Sequence, residues 1–172
     1  SWNQAKKHYR LRFWGDDFII DPYRKRLEMV AGSDPAGYGY LPIFLINYLM
    51  QTKGKETSGD LISEKDLVGG VTFFRGPHEI PTGMITSRFE DDLERFCRRC
   101  ETLGGEPREM ADRSFAFTPL PLISFAVIYW QGDEEFPAEA RLLFDGGSMS
   151  GLALDTVYAL AVDVCRRIAA DS

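Results

Sequence analysis

The chain has 172 residues, of which 44 % are hydrophobic and 13 % aromatic, enough apolar surface for one domain with its own core. A formal net charge of −6 argues against a nucleic-acid partner, because binding to phosphates needs an excess of clustered Lys and Arg. No apolar run approaches the roughly 18 residues of a membrane-spanning helix. We therefore predict a single domain over residues 1–172, with neither nucleic acid nor membrane as a partner.

The number of cysteines indicates that the protein belongs to a reducing compartment. The three cysteines, Cys97, Cys100 and Cys165, are an odd number and do not form a disulfide framework. The sequence does not open on the basic and apolar regions of a signal peptide, so we predict a cytoplasmic protein. The abrupt start, SWNQAKKHYRLRF, is typical of a sequence trimmed at its N-terminus.

The first elements are predicted to be strands. Residues Tyr9 to Phe13 alternate apolar and basic side chains, Gly15-Asp16-Asp17 forms a turn, and Phe18 to Ile20 resumes the apolar pattern, as in a β-hairpin. Leu27 to Val30 predicts a third strand. The glycine- and proline-rich stretch from Ala31 to Gly39 then predicts a loop.

The first helix is predicted from Leu41 to Gln51, with Pro42 suited to its first turn and Gly54 beyond its end. Almost every side chain in it is apolar, so we expect this helix to be buried on nearly all sides. Ser58 to Gly70 predicts a polar connection, in which Ser63 and Asp66 form a capping box.

Further helices are predicted on either side of the central strands. One begins near Pro81 or Thr82 and, after a break at Arg88 to Glu90, continues to Leu103, where Gly104-Gly105 ends it. After a flexible loop at Gly146 to Gly151, Leu154 to Ala169 follows the helical period.

The centre of the sheet is predicted in Phe115 to Asp145. The apolar run Leu120 to Trp130 is too short to span a bilayer as a helix and predicts a buried strand. The acidic turn Gly132-Asp133-Glu134-Glu135 joins it to a second apolar run, Leu142 to Phe144, as in a hairpin. The pattern therefore predicts an α+β domain with a largely antiparallel sheet and about three main helices.

The spacing Cys97-Arg98-Arg99-Cys100 could ligate a metal or cycle as a dithiol. However, both cysteines share an apolar helical stripe with Phe89, Leu93 and Phe96, which predicts buried thiols in the core. We therefore expect no metal site and no cofactor held by the cysteines, and leave any other cofactor open.

The loop from Arg75 to Thr82 is the first candidate binding site, because two prolines and a glycine stiffen it around charged side chains. Arg75, His78 and Glu79 are its candidate ligand-binding residues. The imidazole of His78 could ligate a metal or cofactor, or act as a general base beside Glu79. Alternatively, Arg75 and His78 serve only to satisfy loop carbonyls.

The acidic turn is the second candidate site, with Asp133, Glu134 and Glu135 as candidate ligand-binding residues. Two of these carboxylates could converge as an acid–base pair, or all three could be solvated. We predict that this turn lies near the Arg75 to Thr82 loop, with Arg75 or His78 facing one of its carboxylates. P-loop, dinucleotide-binding, zinc-protease and nucleophile-elbow motifs are missing from the sequence, so no catalytic residue is assigned.

Several segments together resemble a known family: Gly39-Tyr40-Leu41-Pro42, Ser58-Gly59, Asp66 to Gly70, Phe73 to Glu79, Leu103-Gly104-Gly105, Gly132 to Ala138 and Leu142 to Asp145. In these the chain resembles uncharacterised bacterial and archaeal proteins known only as a domain of unknown function. Some members are joined to a four-iron four-sulfur domain like that of corrinoid iron–sulfur proteins. The resemblance implies an anaerobic setting and a possible iron–sulfur or corrinoid protein as partner. Three cysteines cannot supply the four thiolates of such a cluster.

The leading hypothesis is an accessory or binding module linked to corrinoid or iron–sulfur cofactor metabolism. One alternative is an enzyme that uses a histidine and a carboxylate as an acid–base pair in a cleft. Another is a purely structural protein-interaction domain.

Overall fold

A computed structural model describes residues 1–4, 7–24, 26–30, 39–51 and 56–170. The described strands form two antiparallel sheets, and the predicted α+β class is confirmed. The N-terminal sheet has the order β1-β2-β3-β4, with β1 at Trp2–Asn3, β2 at His8–Phe13, β3 at Asp16–Asp21 and β4 at Arg26–Met29. The main sheet has the order β5-β9-β8-β7-β6, with β5 at Leu61–Ile62, β6 at Glu106–Arg108, β7 at Arg113–Leu120, β8 at Ile123–Trp130 and β9 at Glu139–Asp145.

Helices cover the main sheet: α1 at Leu41–Gln51, α2 at Gly70–Phe73, α3 at Gly83–Phe89, α4 at Leu93–Thr102, α5 at Gly146–Met149 and α6 at Leu154–Ala169. The bounds predicted for α1 and α6 are confirmed. The predicted loop at 31–39 lies outside the described residues except for Gly39. No helix within the described ranges is long and apolar enough to cross a membrane.

Strand β8 lies at the middle of the main sheet, as the apolar run predicted, and pairs with β7 and β9. Its residues from Phe125 to Tyr129 are all buried, because both faces of the sheet are covered at this strand. The run Leu120 to Trp130 is nevertheless not one strand. Leu120 ends β7, and Pro121 and Leu122 form the turn into β8, where proline can occupy a position that needs no ladder hydrogen bond.

Trp14 joins the two sheets. Its indole Nε1 donates to the carbonyl of Leu103 at 2.8 Å, and its ring lies 5.2 Å from Phe117 and 5.4 Å from Phe125. On the same side, Arg167 of α6 donates to Asp16 of β3 at 2.9 Å. Apolar residues of both sheets therefore belong to one continuous core.

The prediction that α1 is buried on nearly all sides is wrong. Leu41, Phe44, Leu45 and Tyr48 face the core, whereas Ile43 and Ile46 are 49 % exposed and Met50 is 73 % exposed. Helix α1 packs on α6 and, through Phe44, on Phe13 of β2, and its remaining apolar side chains lie on the outer face of the helix.

The predicted break between the middle helices is confirmed, and its geometry is unusual. Glu90 adopts a positive φ of 48°, which is uncommon for a residue with a side chain. The hydroxyl of Tyr129 donates to the carbonyl of Glu90 at 2.5 Å, and Asp92 caps α4 by accepting from the N–H of Arg95 at 2.8 Å. These two bonds stabilise the change of direction between α3 and α4.

The flexible loop predicted at Gly146 to Gly151 is instead ordered as the short helix α5 followed by a turn. Asp145 caps this helix by accepting from the N–H of Ser148 at 2.8 Å. A Cβ on Gly147 would lie 2.7 Å from the carbonyl oxygen of Glu56, so glycine is required where the two segments approach. The local glycines therefore serve close packing rather than flexibility.

Candidate functional site

The Arg75 to Thr82 loop begins where α2 ends. A 3-10 turn at Gly76–His78 carries Pro77, and the N–H of His78 donates to the carbonyl of Arg75 at 3.2 Å. Arg75, His78 and Glu79 are all exposed. The loop therefore forms a turn that exposes its three charged side chains, and its rigidity stays a prediction from its proline and glycine content.

The ring of His78 is held in an aromatic stack. It lies parallel to Phe73, with the ring centroids 4.5 Å apart, and edge-on to Tyr158 of α6 at 5.5 Å. The hydroxyl of Tyr158 donates to the carbonyl of Pro77 at 3.1 Å, so a loop carbonyl is satisfied by Tyr158 and not by His78. We call Phe73, His78 and Tyr158 the aromatic stack.

The acidic turn is closed by its own backbone. Oδ1 of Asp133 accepts from the N–H groups of Glu135 and Phe136, each at 2.8 Å. These bonds, that of Phe136 first, lower the pKa of Asp133 below its ordinary value. The groups that lower the pKa are backbone N–H groups, and no second carboxylate is among the causes of the shift.

The two candidate segments lie at opposite ends of α3. The loop leads into the first turn of α3, whereas Gly132, the first residue of the acidic turn, approaches Asp91 just beyond the last turn. A seven-residue helix is about 10 Å long. Between residues that the structure describes, no salt bridge joins Arg75 or His78 to Asp133, Glu134 or Glu135.

Only the Arg75 to Thr82 loop is seen to border a cleft, which has a volume of about 440 Å³; Asp133, Glu134 and Glu135 are not among its lining residues. Its walls come from the 3-10 turn at Glu64–Asp66, from the end of the loop with the start of α3, and from β9. Glu79 lines this cleft directly, and β9 follows the acidic turn in sequence. His78 is not among the lining residues; these are Ser63, Glu64, Lys65, Phe74, Glu79, Ile80, Thr82, Gly83, Thr86 and Ala138 to Leu143.

The cleft lies along an edge of the main sheet. Strand β5 pairs with β9 only at Phe144 and Asp145. After Ile62, the predicted capping box of Ser63 and Asp66 forms, with Ser63 N–H donating to Asp66 at 2.9 Å, and turns the chain away from the sheet. Residues 139–143 of β9 therefore have no neighbouring described strand on the side away from β8.

Charged side chains at the cleft are more acidic than basic. The lining contains three acidic residues, Glu64, Glu79 and Glu139, and two basic residues, Lys65 and Arg141. Arg141 is paired with Glu139 at 2.6 Å, so Lys65 alone offsets Glu64 and Glu79. The acidic turn adds Asp133, Glu134 and Glu135 just before the strand. The region therefore favours a positively charged ligand.

A family model described as Domain of unknown function (DUF3786) matches residues 1–167. The chain belongs to this family. No curated protein and no solved structure matches the chain significantly. Membership of a domain-of-unknown-function family, predicted from the sequence, is thereby confirmed.

The cysteines lie in the core as the helical stripe predicted, although unequally. Cys100 and Cys165 are buried, and Cys97 is half-buried. Burial raises the pKa of Cys100, with Cys97 as the next contributor, and burial raises that of Cys165 to about 12. Among the described residues, no group of three or more His, Cys, Asp or Glu side chains could hold a metal ion.

The sequence did not indicate that two carboxylates would be buried. Asp145 and Asp163 are 1 % and 2 % exposed, and both accept hydrogen bonds from backbone N–H groups of distant segments. Asp145 accepts from Gly59 at 2.6 Å and from Ser58 at 3.1 Å. Since neither carboxylate lines the cleft, both hold the fold together instead of forming part of the candidate site.

Proposed function

We propose that this domain is an accessory module that binds a segment of another protein in the cleft between α3 and β9. The observation that carries the proposal is the cleft itself. It is bordered by the Arg75 to Thr82 loop that the sequence singled out, and it combines buried apolar side chains, such as Phe74 and Leu142, with the carboxylates of Glu64 and Glu79. Clefts of a few hundred Å³ with this mixture are typical of binding sites.

The arrangement of the ionisable groups supports binding over acid–base catalysis. The imidazole of His78 is stacked on Phe73 and does not line the cleft, and Arg141 is already paired with Glu139. A general base must be within hydrogen-bond reach of the proton that it removes. We therefore favour a binding module over an enzyme that uses a histidine and a carboxylate as an acid–base pair.

The resemblance to proteins joined to an iron–sulfur domain supplies the class of partner. We propose a protein that carries an iron–sulfur cluster or a corrinoid, with the cofactor held by that partner. The chain's own contribution would be recognition, since its buried thiols have raised pKa values and are poor metal ligands.

Site-directed cross-linking tests the proposal. A photo-reactive amino acid is placed at Glu79 or Thr86 in the cleft wall, and at Ser87 and Glu101 as matched controls that are exposed and outside the cleft. The expected result, in the cells that naturally contain this chain, is one shared partner captured from both cleft positions and from neither control. The purified partner should then bind the unmodified domain and show the absorption and iron or cobalt content of its cofactor.

Two outcomes would contradict the proposal. Equal capture from cleft and control positions would show that the cleft is not the binding site. A partner that binds at the cleft but contains neither iron nor cobalt would leave the binding module standing and remove the cofactor link.

A further inference from the structure

We infer that the cleft takes an extended, basic peptide segment, which pairs with the open edge of β9 as an additional strand. The inference rests on the proposed function and names the form and charge of the segment bound. Addition of a strand to an exposed sheet edge is a recurring mode of peptide recognition, in which main-chain hydrogen bonds supply affinity and side-chain contacts supply specificity.

The register shows which backbone groups face the cleft. The N–H of Gly146 donates to the carbonyl of Asp60 at 2.9 Å, one step beyond the Leu61–Asp145 pair. Because hydrogen-bonded positions alternate along an antiparallel ladder, the N–H and C=O of Phe144 face β5. Two and four residues earlier along β9, Leu142 and Ala140 present the same groups to the same side.

These groups lack a described partner. On that side, β5 ends its pairing at Ile62, and the loop and side-chain hydrogen bonds of the described chain include none to Ala140 or Leu142. Both residues are only 3 % and 2 % exposed, so this edge can be reached only through the cleft that they line. Buried backbone N–H and C=O groups are almost always paired in proteins, so this edge favours a ligand with complementary backbone groups.

The shape of the cleft fits an extended segment. Six consecutive residues, Ala138 to Leu143, line it. Side chains of a strand alternate between the two faces of the sheet, so consecutive residues can share one cleft only where it runs along the strand edge. The unpaired stretch 139–143 spans about 17 Å, long enough for roughly five residues of an added strand. The added strand would lie beside β9 in the position that β5 occupies up to Ile62, before the chain turns away at Ser63.

The charges set the composition of the segment. Side chains of an added strand alternate between the helix-covered side, where Phe74 and Ile80 offer apolar contact, and the rim. Glu79 and Glu64 lie in the walls of the cleft, and the acidic turn lies at the end of the strand where β9 begins. A segment in which apolar residues alternate with Lys or Arg is therefore the complementary one.

The test uses the full chain and synthetic pentapeptides with blocked ends. The probe alternates valine with lysine; one control replaces lysine by glutamate, and a second carries N-methyl groups on the backbone nitrogens that would face β9. Binding is followed by backbone amide NMR. The expected result is a shift of the Ala140 and Leu142 signals, slower hydrogen exchange at both, and at least about tenfold weaker binding of each control peptide, equivalent to about 1.4 kcal/mol.

Charge-reversal variants test the acidic rim without touching the core. Glu79→Lys should weaken binding of the lysine probe at least about threefold and strengthen that of the glutamate control, whereas Glu101→Lys, exposed on α4, should change neither. Both positions are exposed, so the variants should fold.

Several results would overturn the inference. These are no binding of the lysine probe at millimolar concentration, binding that N-methylation leaves unchanged, and signal shifts confined to other surfaces. A sedimentation result showing a dimer, with Ala140 and Leu142 already protected from exchange in the absence of peptide, would assign the edge to a second copy of this chain. Partner capture at Glu79 and Thr86 that persists despite any of these results would leave the proposed binding module intact.

Discussion

The buried carboxylate of Asp163 in α6 accepts a hydrogen bond from the backbone N–H of Tyr40, with Oδ2 at 3.2 Å and Oδ1 at 3.3 Å. Tyr40 stands immediately before α1, where the first N–H groups of a helix have no partner within the helix. Arg166 lies 3.9 Å from the same carboxylate and covers the Tyr40 ring at 5.4 Å. Asp163 thereby links α1 to α6.

The ionisation of Asp163 should make stability depend on pH. Burial raises its pKa from 3.8 to about 6, against the hydrogen bond from Tyr40 and the charge of Arg166. The folded protein thus holds this proton more tightly than the unfolded chain. The stability from this group is present below about pH 3.8 and is lost as pH rises through about 6. A difference of about two units between the folded and unfolded pKa of Asp163 corresponds to at most about 3 kcal/mol of unfolding free energy.

We therefore expect Asp163→Asn to remove this pH dependence while keeping an oxygen that can accept from Tyr40. Urea unfolding between about pH 4 and pH 7.5 would measure it, with Asp155→Asn as an exposed control on the same helix. At the upper end of the range the variant should equal or exceed the unmodified protein in stability. An unchanged pH slope in Asp163→Asn would contradict this account.

Asp145 should behave in the opposite way. Burial alone would raise its pKa, but the hydrogen bonds from the backbone N–H groups of Ser148, Ser58 and Gly59 outweigh it and lower the pKa below 3.8. Its stabilising contribution is therefore present above about pH 3.8 and is lost as pH falls through the lower, folded-state pKa. We expect Asp145→Asn to cost about 2–3 kcal/mol of unfolding free energy at neutral pH, because an amide replaces a charged acceptor.

The exposed neighbour Asp60 supplies the control for that measurement. Asp60→Asn should change the unfolding free energy by less than about 0.5 kcal/mol. Equal effects at the two positions would show that Asp145 is not the residue that joins α5 to the segment at Ser58.

The three cysteines should differ in reactivity. Cys97 is half-buried, whereas Cys100 and Cys165 are buried with raised pKa values. In the folded protein we expect rapid reaction of one thiol, Cys97, with a thiol-specific chromogenic reagent, and reaction of all three in urea. Cys97→Ser should abolish the rapid phase. Cys100→Ala should cost about 1 kcal/mol and leave metal content unchanged.

Helix α1 shows where sequence reasoning succeeds and where it stops. Its bounds follow from local signals, Pro42 at the start and the end of the apolar pattern at Gln51. The face of α1 that is buried does not follow from local signals, because an almost uniformly apolar helix has no periodicity to mark it. Packing against distant elements, among them α6 and Phe13 of β2, selects Phe44 and Leu45 as core and leaves Ile46 outside.

That selection is testable with neighbouring residues. Ile46→Lys should change the unfolding free energy by less than about 0.5 kcal/mol, since the side chain is half exposed on the outer face. Leu45→Ala should cost about 2–5 kcal/mol, since its side chain is fully buried. Comparable losses at both positions would mean that the outer face of α1 is covered in solution.

The cleft was only partly predictable for a similar reason. The sequence identified the Arg75 to Thr82 loop that borders it, because prolines, glycines and charges mark turns locally. It did not indicate the open edge at Ala140 and Leu142, which depends on where β5 stops pairing with β9. That pairing joins Ile62 to Phe144, far apart in the chain, and no local pattern encodes it.

The aromatic stack supports a final prediction, which separates a structural role of His78 from a chemical one. His78→Phe should preserve the stacking on Phe73 and the edge contact with Tyr158, so stability and cross-linking from Thr86 should both be retained. Tyr158→Phe should cost about 1 kcal/mol, because the carbonyl of Pro77 loses its donor. If His78→Phe kept its stability in urea unfolding but no longer captured the partner, the imidazole itself would take part in recognition, and the binding surface would extend from the cleft to the stack.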